Sequence, residues 1–113
     1  MKHNEGFLRL VADAKTRVQE IDLETYQAEI DEPHILVDVR EESEWAAGHV
    51  AGAIHLGKGI IERDIETQIP DKAKKIVLYC GGGFRSALVA DNLRKMGYTR
   101  PITLDGGWRA LKD

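Results

Sequence analysis

The sequence predicts an α/β domain whose centre is a parallel sheet of about five strands flanked by helices. Three observations predict it. Two apolar runs, Ile35-Leu36-Val37-Asp38-Val39 and Ile76-Val77-Leu78-Tyr79, have the pattern of strands buried on both faces. Such runs alternate along the chain with segments whose apolar residues recur at helical spacing. Glycines follow two strand-like runs after one intervening residue each, Gly81-Gly82-Gly83 after Ile76 to Tyr79 and Gly106-Gly107 after Ile102-Thr103-Leu104. That is where a strand of an open α/β sheet turns into a helix and where such sheets place their ligands.

Taken in order, residues 5 to 15 repeat Phe7, Leu8, Val11 and Ala14 on one side and read as an amphipathic helix. Docking on the domain is the plain use of that face, and contact with another chain is the alternative. Residues 1–16 are therefore read as a helical extension and residues 17–113 as the domain proper. Val18 to Ile21 is a short strand. Asp22 has the position of a helix N-cap, with Leu23, Tyr26, Gln27 and Ile30 following on one side, and Pro33 breaks the chain. The strand Ile35 to Val39 carries Asp38 near its end and Arg40 just beyond. Those two form either a brace for a nearby loop or a surface ion pair worth little.

Glu41, Glu42 and Glu44 open a short helix, where acids complement the dipole, and Gly48 ends it. His49 to Leu56 turns into a third strand, and His49 reads as a structural histidine bonded to loop backbone. Residues 58 to 68 form a helix with Ile60, Ile61 and Ile65 inward. Ile76 to Tyr79 is the fourth strand, followed by a helix from Ala87 to Met96 that Gly97 closes. Ile102-Thr103-Leu104 is the fifth strand and Trp108 to Lys112 a short last helix.

At 113 residues the chain makes one domain, able to bury roughly two thirds of its unfolded surface without disulfides or metal. The net charge is −3 and no basic cluster occurs, which argues against a nucleic-acid partner. One cysteine excludes an intrachain disulfide and any multi-cysteine zinc site. The four histidines, His3, His34, His49 and His55, lack ligand spacing, so no metal is expected. The first apolar run is short and broken by Arg9, and no window reaches membrane length. The expected location is the reducing cytoplasm, with no membrane partner.

The lone cysteine, Cys80, stands between the fourth strand and the glycine loop. Consecutive glycines let a loop curl and aim its N–H groups inward, and a following helix adds its free amides and dipole. A thiolate there is stabilised, so the thiol pKa is expected below its free value of about 8.5. Arg85 and Ser86 add donors where the loop closes. The plain alternative is an inert cysteine packed as a small hydrophobe.

These motifs are ordered as Asp38-Val39-Arg40-Glu41, Glu44-Trp45-x-x-Gly48-His49-Val50-x-Gly52-Ala53, Cys80-x-x-Gly83-x-Arg85-Ser86 and Leu104-x-Gly106-Gly107-Trp108. In that order the chain resembles a single-domain rhodanese, of the sulfurtransferase family, from about Val18 to Lys112. The resemblance implies a rhodanese-like fold and a catalytic Cys80 that cycles between thiolate and persulfide, with no metal or organic cofactor. It implies a cradle of Gly81, Gly82, Gly83, Phe84, Arg85 and Ser86 around the sulfur, with Arg85 rigidifying the loop, and a supporting role for Asp38 and Arg40. Sulfur passes from a donor, thiosulfate or a persulfide, to cyanide, a thiol or a protein cysteine. The partners implied are thus small sulfur donors and acceptors or a protein of the same chemistry. No lysine or arginine lies between Cys80 and Arg85, so the sulfonate end of thiosulfate is expected to be poorly held. Phe84 gives the rim an apolar part that suits a persulfide or protein donor.

Two rival readings remain at this level. Cysteine-dependent phosphatases and arsenate reductases use a related cradle with five residues between Cys and Arg, against four here, Gly81 to Phe84. A non-catalytic binding module on the same fold is the second; such modules commonly lose the cysteine or disrupt the loop, and the intact Cys80 and glycines argue against it while leaving a sulfur-carrier role open.

Overall fold

The computed structural model describes residues 3–112. Along the chain run α1 (Glu5–Lys15), β1 (Gln19–Ile21), α2 (Leu23–Ala28), β2 (Ile35–Asp38), α3 (Glu42–Ala47) and β3 (Ile54–His55). They are followed by α4 (Ile61–Gln68), β4 (Ile76–Tyr79), α5 (Phe84–Lys95), β5 (Pro101–Leu104) and α6 (Gly107–Leu111). Among the described residues five strands form one sheet in the order β1-β5-β4-β2-β3, with each pairing parallel. The α/β class and the parallel sheet expected from the sequence are what the structure has.

β4 is the central strand, and all four of its residues are buried. Strand side chains alternate between faces. Ile76 and Leu78 accordingly join a core with Ile61, Ile65, Val89 and Leu93 under α4 and α5. Val77 and Tyr79 join a second core with Ile21, Tyr26, Leu36, Ile102 and Leu104. Continuing the alternation, Cys80 falls on the α4–α5 face. β2 is paired with β4 in register Ile35↔Ile76 through Asp38↔Tyr79, so Asp38 ends its strand one step short of Cys80.

Local chemistry sets the boundaries. Asp22 caps α2 by accepting the Thr25 N–H at 2.8 Å. Glu41 and Glu44 form a reciprocal capping box on α3, which satisfies two otherwise orphaned amides. Some expectations shift. α2 stops at Ala28, ahead of the Asp31-Glu32-Pro33 break, so Ile30 lies outside it and is largely exposed. β5 starts at Pro101, which is tolerated as a first strand residue. α5 starts at Phe84, inside the glycine-rich motif, and α6 starts at Gly107.

α1 packs on α5 through Val11 and Ala14, both buried. Just beyond α1, Arg17 grips the buried Asp91 of α5 with two bonds, Nε to Oδ1 at 3.0 Å and Nη2 to Oδ2 at 2.8 Å. Docking on the domain is thus the use the structure makes of this helix. Among the described residues no helix is long and apolar enough to cross a membrane.

Candidate active site

β4 delivers Cys80 to the carboxyl edge of the sheet, where Gly81-Gly82-Gly83 reverses the backbone into α5. Gly83 has φ of 102°, a region that a side chain strongly disfavours, and this turn points its N–H at the cysteine, 3.1 Å from Sγ. The Ser86 hydroxyl, in the first turn of α5, lies 3.5 Å from Sγ and 2.7 Å from the Thr103 hydroxyl on β5. Cys80, Ser86 and Thr103 are all buried. Burial pushes the Cys80 thiol up; the Ser86 hydroxyl and the N–H groups of Ser86, Gly83 and Gly82 outweigh it, and the thiol is held below its ordinary value.

The cradle is aligned from behind by α6. The Trp108 N–H donates to the Cys80 carbonyl at 2.7 Å and the Arg109 N–H to the Gly81 carbonyl at 3.2 Å. With those carbonyls engaged by α6, the loop's own amides are left to face the sulfur. The approach is so close that a Cβ on Gly107 would overlap the Cys80 carbonyl oxygen.

The Arg85 guanidinium makes a two-pronged pair with Glu44 of α3, at 2.8 and 3.2 Å, and lies along Gly81. The Arg85 hydrogen bonds lead the causes that hold the Glu44 carboxyl down at about 2, with help from the Glu41 N–H and against partial burial. Arg85 therefore ties the cradle to α3.

Asp38 and Arg40 are not a surface pair. Asp38 is fully buried and Arg40 nearly so, because β2 ends beneath α6 and the exit of α3. The Arg40 guanidinium meets Asp38 Oδ2 at 2.8 Å, donates to the Gly48 carbonyl at 2.6 Å and lies 4.7 Å from the centre of the Trp108 ring. It braces α6 from below, and neither residue lines the cavity over Cys80. His49 stacks on Trp45 with ring centres 3.4 Å apart and its Nδ1 lies 3.0 Å from the Trp45 carbonyl, a backbone contact as expected but to helix α3 rather than to a loop.

Over Cys80 opens a cavity of about 700 Å³ bordered by the cradle, Glu44, Arg85, Arg109 and the first turn of the N-terminal segment. Sequence reasoning brought together Cys80, the glycines, Arg85 and Ser86. It missed Thr103, whose hydroxyl is 17 residues from Ser86 in the chain, and the ion-pair role of Glu44, 41 residues from Arg85. It also missed Arg109 and the lining residues of the N-terminal segment.

The arrangement, a thiol of lowered pKa under converging N–H donors in an open cavity, suits nucleophilic attack on sulfur. Comparison with known proteins gives the family. The model of the rhodanese-like domain matches residues 22–113. The chain is 38% identical over 82 residues to YtwF of Bacillus subtilis, provisionally named a sulfurtransferase, spanning 73% of this chain and 77% of that one. It is 35% identical over 77 residues to the thiosulfate sulfurtransferase PspE of Escherichia coli, spanning 68% and 70%. Among solved structures, RPA3614 of Rhodopseudomonas palustris, a protein of unknown function described as a possible tyrosine phosphatase, superposes with a TM-score of 0.83 at 25% identity, over 100% of this chain and 93% of that one. With the family model covering every strand but β1, and sulfurtransferases among its relatives, this chain belongs to the rhodanese-like domain family.

Proposed function

We propose that the protein is a sulfurtransferase that carries sulfane sulfur as a persulfide on Cys80. Residues 17–113 form the catalytic domain and residues 1–16 an extension upon it. In the first half-reaction the Cys80 thiolate attacks the outer sulfur of a donor such as thiosulfate, and sulfite leaves with the electron pair of the broken S–S bond. In the second, cyanide, a thiol or a protein cysteine takes the terminal sulfur and the thiolate returns, a ping-pong cycle. The observation that carries this reading is the pair of donors on Sγ, the Gly83 N–H at 3.1 Å and the Ser86 hydroxyl at 3.5 Å. They stabilise the thiolate, and the cradle of Gly81 to Ser86 offers the same stabilisation to the charged terminal sulfur. Asp38 and Arg40 act from behind, through Trp108. The cycle fits the reducing cytoplasm, where a lone thiol stays free.

The phosphatase reading is disfavoured by two features. The loop is one residue shorter than a phosphate cradle, and Arg85, which would have to grip the phosphate, is committed to Glu44. Intact mass spectrometry after incubation with thiosulfate should show one added sulfur atom on the wild type, removed by cyanide, and none on Cys80→Ser. A Cys80→Ser protein that still transfers sulfur would overturn the mechanism. Absence of the adduct with thiosulfate and with a persulfide donor alike would leave the binding module as the better reading.

A further inference from the structure

The helix that precedes the family-matched region supplies a wall of the cavity over Cys80. α1 lies along α5, and this brings the Phe7 ring to 6.2 Å and the His3 ring to 4.5 Å from the ring of Phe84, with His3 and Phe7 themselves 5.3 Å apart. Three rings from two distant parts of the chain form one aromatic wall, and all three border the same cavity as Cys80. Its volume, about 700 Å³, lies in the range of roughly 300–1,000 Å³ typical of pockets for organic ligands and far exceeds what an inorganic anion needs. The cavity also has a cation to spare. Arg85 is paired with Glu44, but Arg109 is exposed, forms no ion pair among the described residues, and reaches over Gly82, with Nη1 3.7 Å from where a Cβ would stand.

Resting on the sulfurtransferase reading, we propose that Phe7, with His3 and Phe84, determines donor specificity: the site takes an organic sulfane-sulfur anion whose flat apolar body lies on the aromatic wall while Arg109 attracts its charged head. An aromatic thiosulfonate has this chemistry. The Cys80 thiolate attacks the terminal sulfur, a Cys80 S–S bond forms, and the bond to the sulfonyl sulfur breaks. The electron pair leaves on the sulfonyl sulfur, which is reduced to a sulfinate while the Cys80 sulfur is oxidised to the persulfide. No proton moves and no other reactant is needed. The cation missing between Cys80 and Arg85 is thus supplied from α6.

The test compares kcat/KM for benzenethiosulfonate, methanethiosulfonate and thiosulfate in the full chain, with cyanide as acceptor. Benzenethiosulfonate should exceed methanethiosulfonate by about tenfold, and Phe7→Leu, which keeps an apolar side chain on α1 but removes the ring, should cut that ratio by roughly three- to tenfold. His3→Ala should lower it in the same direction, with thermal melting confirming that α1 remains docked. Arg109→Gln should raise KM for all three anions and leave the aryl-to-methyl ratio in place. Equal rates for the two organic donors in the wild type, or a ratio unmoved by Phe7→Leu, would overturn the aromatic wall while thiosulfate turnover still upheld sulfur transfer. No transfer from any donor would defeat both.

Discussion

Cys80 stands at the balance of two opposing effects. Desolvation favours the neutral thiol, whereas the N–H groups of Gly82, Gly83 and Ser86 and the Ser86 hydroxyl favour the thiolate, and the second set wins. The hydroxyl's aim depends in turn on Thr103, 2.7 Å behind it. The rate of iodoacetamide alkylation against pH should therefore show a midpoint below the free-thiol value of about 8.5. Ser86→Ala should move that midpoint upward, and Thr103→Val should move it the same way by less, since Ser86 keeps its hydroxyl. A wild-type midpoint at or above the free value would contradict the balance described. At this scale the sequence was legible where partners are close along the chain. Gly83 and Ser86 fall within one loop and one helical turn of Cys80, so their proximity follows from local geometry. Thr103 and Glu44 arrive through strand order and helix packing, which no local pattern encodes.

Among the elements, α6 has the most consequence for its length. It holds five residues, yet its amides engage the carbonyls of Cys80 and Gly81, and Arg40 supports its Trp108 from beneath. Because a methyl at Gly107 would collide with backbone rather than a yielding side chain, Gly107→Ala should abolish sulfur transfer and lower stability by about 2 kcal/mol or more. Denaturant unfolding and single-turnover sulfur transfer would check it, and a fully active, equally stable variant would show that the contact is dispensable. The strands and caps were readable because each reflects a local demand: both-face burial for β2 and β4, a side-chain acceptor for α2, acids at the start of α3. The buried setting of Asp38 and Arg40 was not, since their motif looks the same whether or not α6 lies above it.

For the whole molecule, two ion pairs fasten helices that are remote in sequence, Arg17–Asp91 and Arg85–Glu44. Both carboxyls are held at about 2, chiefly by hydrogen bonds from their arginines. A folded-state pKa lowered in this way adds stability at pH values above the unfolded carboxylate range, and that addition is lost as pH falls through the range toward 2. Wild-type stability should therefore drop on acidification from about pH 4.5 to 2 by more than that of Arg17→Gln, by a small margin because solvent screens the pair. Parallel curves for the two proteins in urea titrations would remove Arg17–Asp91 from the account.

The sheet order has a consequence for the timing of synthesis. β1 emerges from the ribosome first of the strands, yet its one neighbour in the sheet is β5. Until residues 101–111 emerge, β1 has no strand beside it and the Cys80 and Gly81 carbonyls have no α6 amides upon them. Long-range pairing of this kind is slow to form. The glycine loop of a nascent chain thus waits for its backing: the contacts of α6 on the Cys80 and Gly81 carbonyls come only with the completed sheet.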